Sequence, residues 1–199
     1  MGEIETAWRM DGERMEGKQR QYTIADTISG QEIRRLRKSL DLTQAEFARF
    51  VNVSVKTIER WEIQKTQIKG EIVTLCRLIR EDPGCVERFR VPERHAPLRL
   101  WYGREEDVCT IIDVLLPQRQ VKIYNYTRDL MCRAFGKIEE PTYEQYEAFL
   151  KSRCFPRNRD KMKLILEELN LPFYDPLMII EKTEGRMADD DFWLRIERE

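Results

Sequence analysis

Residues 42–62, LTQAEFARFVNVSVKTIERWE, carry the signals of two short helices joined by a tight turn. Thr43 is a natural N-cap, and Glu46 stands three residues later, where its carboxylate can reach back to the cap's own N–H. The helix started there places Phe47, Ala48 and Val51 on one face. Asn52 then falls where the chain must reverse, and asparagine tolerates the left-handed conformation better than any residue but glycine. Val53 is expected to be buried in the turn. Ser54 is a second N-cap, and the second helix is expected to run from Val55 to about Gln64. On that helix Ile58 and Trp61 point to the core, with Ile63 near its edge. Ala48 is small where the two helices cross. Val55, Lys56, Thr57 and Arg60 remain on the exposed front.

The charge pattern isolates the same region. The chain of 199 residues has a formal net charge of −1. From residue 29 to residue 80 there are eleven bases against six acids, so this segment is basic while the rest of the chain is acidic. A basic block confined to one segment points to a polyanion as the partner of that block. A helical bundle used for protein contact is the alternative, and the lysine and arginine on the exposed helix argue against it.

Helical periodicity extends over residues 29–80. Residues 1–28 are polar, with Trp8, Met10 and Met15 as their few apolar anchors, and are expected to form a frayed arm or a loosely docked helix. Residues 81–97, EDPGCVERFRVPERHAP, hold three prolines and a Pro-Gly turn and read as a linker. Beyond it the period changes. LRLWY, DVCTIIDVLL and QVKIYNY are short runs rich in Val, Ile, Tyr and Thr, which predicts three strands. Pro117, Gln118 and Arg119 form the tip between the last two. A helix capped by Thr142, with Gln145 three residues on, should end at Phe155-Pro156. A second is expected from about Asn158 to Leu169, with Met162, Ile165, Leu166 and Leu169 on one stripe. A third is expected from Pro176 to Glu181, and the tail DDDFWLRIE reads as a strand. The expected architecture is an all-α helix-turn-helix bundle followed by a small α+β domain over residues 98–199, serving a partner or dimerisation.

Several function classes find no support in the residues. The five cysteines form no C-x-x-C pair, which argues against a zinc ribbon and a disulfide framework. With a single histidine, His95, neither a metal site nor a Ser/His/Asp triad is expected, and no glycine-rich phosphate loop occurs. Cys154, between Arg153 and Arg157, has two readings: a thiolate activated by its neighbours, or a partly buried thiol. The run Asp189-Asp190-Asp191 reads as a cation site or as a solvated turn. No enzyme activity and no cofactor are expected. No apolar run approaches the roughly 20 residues of a membrane span, and the start lacks a secretion signal, so a cytoplasmic location is expected.

The stretch resembles the Xre/Cro/CI family of helix-turn-helix proteins. The match runs through Leu42-Thr43-Gln44, Glu46, Ala48, Val53-Ser54, Thr57-Ile58 and Trp61-Glu62. It departs from the family at Asn52, which replaces a turn glycine, and at Gln64, where glycine is frequent. Gly70 followed by Leu75, Leu78 and Ile79 resembles the fourth helix of the HigA-type antitoxin branch. In the other half, the Pro-x-x-Arg segment, an amphipathic helix and the closing Asp-Asp-Phe-Trp resemble, in outline, the region preceding the kinase core of HipA-type proteins. The resemblance implies a sequence-specific double-stranded DNA-binding repressor. Val55, Lys56, Thr57 and Arg60 would then meet base edges, and Gln44, Arg34, Lys38, Lys65 and Lys69 would meet phosphates. It implies a homodimer, autoregulation and a protein toxin as partner. The alternative is a phage or mobile-element regulator whose second domain senses an effector or mediates dimerisation, without a toxin.

Overall fold

The computed structural model describes residues 22–198, which divide between Glu87 and Arg88 into two compact units. The first is helical: α1 (Gly30–Ser39), α2 (Gln44–Phe50), α3 (Val55–Ile63), α4 (Glu71–Glu81) and the short α5 (Cys85–Arg88) at the boundary. The second holds β1 (Leu98–Arg104), β2 (Asp107–Leu115), β3 (Gln120–Asn125), α6 (Tyr143–Ser152), α7 (Met162–Glu168), α8 (Pro176–Thr183) and β4 (Phe192–Arg198). The helix-turn-helix bundle followed by an α+β unit is therefore the fold. The polar arm falls mostly on residues 1–21, including Trp8, Met10 and Met15, and that part lies outside the described residues.

Three helix starts in the first unit are fixed by local chemistry. Ser29 and Glu32 close a capping box on α1, and Thr43 and Glu46 close one on α2. Ser54 caps α3 by accepting from the Thr57 N–H at 3.2 Å. Ile33, Phe47, Ala48, Ile58, Cys76 and Ile79 form the fully buried centre of the core. The chain enters this core before residue 29. Ile28 is buried and exchanges two main-chain hydrogen bonds with Ile68, both 2.9 Å, and Ile24 packs nearby. At the other end Val86 of α5 is buried in the same core, so the stretch expected as a linker begins inside the first unit.

Gly30 marks the closest approach in the bundle. A Cβ at this position would overlap the carbonyl oxygen of Trp61, because the first turn of α1 lies directly on the end of α3. Gly30→Ala is expected to cost about 1–3 kcal/mol through overpacking against main chain that cannot turn aside. A urea titration of the first unit's unfolding transition checks this, and an unchanged midpoint would contradict it.

The second unit is a four-stranded antiparallel sheet of order β3-β2-β1-β4. Leu98, Leu100, Ile112, Val114 and Leu194 point to one face, where Tyr146, Phe149 and Leu150 of α6 and Ile179 and Ile180 of α8 cover them. On the opposite face Arg99 and Asp113 form an ion pair with side chains only 4% and 7% exposed. Arg99 also donates to the carbonyls of Pro92, at 3.0 Å, and Glu93, at 3.4 Å, so the proline-rich stretch is bound to the sheet. Thr142 and Gln145 form the expected capping box on α6. The expected helix from Asn158 is shorter, because residues 158–161 form turns and Lys161 is left-handed (φ 58°) immediately before Met162. The α8 helix runs two residues past the expected end, to Thr183.

Candidate nucleic-acid interface

The front of α3 is built by its two ends. Asn52 adopts the left-handed conformation at the turn (φ 55°), and the Val53 N–H then donates to Ala48 O at 2.9 Å, closing α2 and aiming α3 away from it. Behind the helix, Ile58 is fully buried. At its far end Glu62, only 9% exposed, accepts from Arg37 Nε at 2.6 Å, from Arg37 Nη2 at 3.0 Å and from Gln44 Nε2 at 3.0 Å. The remaining Arg37 fork nitrogen donates to Leu42 O at 2.8 Å. One carboxylate thus ties α1, the start of α2 and the end of α3 together, leaving α3 little freedom to rotate about its axis.

Val55 is 39% exposed, and Lys56 and Arg60 are exposed one helical turn apart. Among the described residues neither cation has an ion-pair partner. Thr57 is placed differently from the other three. It is half-buried, and its hydroxyl lies 2.9 Å from Ser54 Oγ, so its hydrogen-bonding capacity is partly committed to the cap. Gln44 sits at the first turn of α2 as expected, but one amide N–H goes to Glu62, leaving the second N–H and the carbonyl for another partner. Arg34 and Lys38 are exposed on α1, and Lys65 and Lys69 are exposed in the loop after α3.

One side chain is placed otherwise than the sequence suggests. Ile63, expected at the core's edge, is 82% exposed, because α3 ends there and turns its last apolar residue outward. Leu78 is 58% exposed, while Ile72, Val73, Cys76 and Ile79 supply the buried face of α4. Arg37 and Glu62 are the pair that sequence reasoning did not single out. The available signal was an acid at the end of an apolar-faced helix beside Trp61, but charge alone suggests a surface position.

Burial raises the Glu62 carboxyl, yet the hydrogen bonds from Arg37 and Gln44 outweigh it, and the group is held below the usual carboxylate range. A carboxylate depressed in the folded state contributes stability that is present above its unfolded value, about 4.3, and is lost as pH falls through the lower folded value. First-unit stability, followed by denaturant titration, should therefore fall as pH drops below about 4. Glu62→Gln should flatten that dependence.

Neither alternative site in the second unit gains a functional geometry. Cys154 is buried and its thiol is pushed up to about 12, chiefly by burial, so it is protonated near neutral pH. Arg153 instead pairs with Asp190 at 2.6 Å and donates to the Gly185 and Phe192 carbonyls. The hydrogen bond from Arg153 lowers the Asp190 carboxyl, and the contact ties the end of α6 to the turn before β4. All five cysteines are free thiols, and among the described residues no His/Cys/Asp/Glu group could hold a metal ion. No described helix is long and apolar enough to cross a membrane.

These features define a helix-turn-helix domain, with α2 and α3 joined through the left-handed Asn52 and the front of α3 exposed. Residues 33–76 match the family model described as Helix-turn-helix. Over 56 residues the chain is 34% identical to Antitoxin HigA-2 of Vibrio cholerae serotype O1, a match covering 28% of this chain and 54% of that protein. The chain thus spans about half the length of this curated relative. No solved structure matches this chain.

Proposed function

We propose that the chain is a sequence-specific repressor that reads double-stranded DNA as a homodimer, and that it is antitoxin-like, regulating its own promoter and binding a protein toxin. The observation that carries the DNA reading is the exposed Lys56 and Arg60, without an ion-pair partner among the described residues, on a helix clamped from behind by Glu62. Such a helix can enter the major groove without rearrangement. Arg60 or Lys56 would pair with guanine O6 and N7, and Val55 would pack on a thymine methyl. Thr57 would contribute through its methyl group, since its hydroxyl serves the cap. The second amide N–H of Gln44 and the exposed Arg34, Lys38, Lys65 and Lys69 would hold phosphates and set the register. One such module reads one half-site, and two copies related by a two-fold axis read an inverted repeat. The antitoxin reading is supported by the likeness to a protein named as an antitoxin.

Arg60→Ala should weaken binding to the selected operator by about 1–3 kcal/mol and relax discrimination at one position, whereas Lys65→Ala should weaken all duplexes alike. Fluorescence-anisotropy titrations on operator and scrambled duplexes distinguish these. Equal losses on both duplexes for Arg60→Ala would remove the base contact.

A further inference from the structure

The outer edge of β3 is an open hydrogen-bonding template. The Tyr126 N–H donates to Cys109 O at 2.9 Å, which sets the phase of the ladder between β2 and β3. With Ile111 opposite Tyr124 and Asp113 opposite Lys122, alternation makes residues 120, 122 and 124 bond to β2. The N–H and C=O groups of Val121, Ile123 and Asn125 then point away from the sheet. Among the described residues no hydrogen bond meets these main-chain groups. The opposite edge is closed differently, because the Leu194 N–H on β4 donates to Glu184 O at 2.6 Å. Beside β3 lies a groove of about 670 Å³, lined among others by Val121, Ile123, Tyr124, Glu140, Pro141 and Tyr143.

We propose that a second copy of this chain fills that edge, its β3 running antiparallel to the first about a two-fold axis at Ile123. The inference rests on the dimeric reading above and gives it a surface. The occupant is argued from self-complementarity, since a two-fold contact must match the same strand run backwards. Centred on Ile123, the pairing sets Val121 against the partner's Asn125 and Ile123 against itself. It forms about six main-chain hydrogen bonds and covers two half-buried aliphatic side chains. Lys122 falls opposite the partner's Tyr124, so no like charges meet. Within one chain Lys122 Nζ already lies 5.2 Å from the centre of the Tyr124 ring, so the strand presents this cation and this ring on the same face.

Sedimentation equilibrium of the full chain, with thermal melts to confirm folding, tests the pairing through substitutions of opposite sign. Tyr124→Lys places two lysines across each symmetric contact and should raise the dimer dissociation constant about tenfold. Tyr124→Glu places a carboxylate opposite Lys122 and should leave the dimer as tight or tighter. Ile123→Cys should cross-link the dimer when diamide is added as the two-electron oxidant, because the axis brings the two Cα atoms about 5.5 Å apart. A wild-type dimer unaffected by either Tyr124 variant and not cross-linked through position 123 would overturn this surface while leaving the dimer reading intact. A wild type that is monomeric both free and on DNA would remove the dimer itself, and the surface with it. Slow amide exchange at Val121 and Ile123 in a monomer would show the edge covered within one chain, and would also overturn the proposal.

Discussion

Glu62→Ala is expected to destabilise the first unit by about 3–5 kcal/mol and to abolish duplex binding at temperatures where the wild type is folded. The substitution leaves the Arg37 guanidinium, with its side chain 11% exposed, without the carboxylate that accepts two of its nitrogens. It also orphans the Gln44 amide. Removing one member of a buried pair costs far more than the pair contributes over an apolar substitute, because the remaining charge has lost its water and gained nothing. Glu62→Gln should be milder, since its carbonyl oxygen still accepts one N–H. Urea unfolding at neutral pH measures the loss. A midpoint shift worth less than about 1 kcal/mol would mean that Arg37 finds water when released, and the clamp would not be what fixes α3.

Asp113→Ala should have an effect of similar size, about 3–5 kcal/mol, in the second unit. Its partner Arg99 is 3% exposed and pinned between the sheet and the 92–93 carbonyls. The informative comparison is the double variant Arg99→Met/Asp113→Leu. Replacing both charges by apolar groups of similar bulk should recover most of the sheet's stability. It should not restore the hold on residues 92–93, whose carbonyls lose their donor. Thermal denaturation separates the single from the double variant, and limited proteolysis reads the 88–97 segment. Additive losses in the double variant would show that the two charges do not act as a pair.

The helix-turn-helix was legible because its determinants are local. Thr43 with Glu46, Asn52 at the turn and Ser54 each act within four residues, and each does in the structure what its chemistry dictates. The three hairpin strands and the α6 cap were legible for the same reason. What the sequence concealed depends on partners far apart along the chain. Arg37 and Glu62 are twenty-five residues apart, and Arg99 and Asp113 fourteen. Charged side chains read singly suggest solvent, and only the fold decides that Glu62, Arg99 and Asp113 are buried and Arg37 half-buried. Ile63 fails in the opposite sense. Helical spacing sets it near the edge of the core face, but α3 ends there and turns it outward.

The direct test of the central claim, that the front of α3 reads base sequence, is selection from a random duplex pool by the full chain. Wild type should enrich one motif, arranged as an inverted repeat with half-site centres about 10 base pairs apart or a multiple of that. The double variant Lys56→Ala/Arg60→Ala, folded to the same melting temperature, should enrich none. Enrichment of the same motif by both proteins, or of no motif by the wild type, would contradict the account.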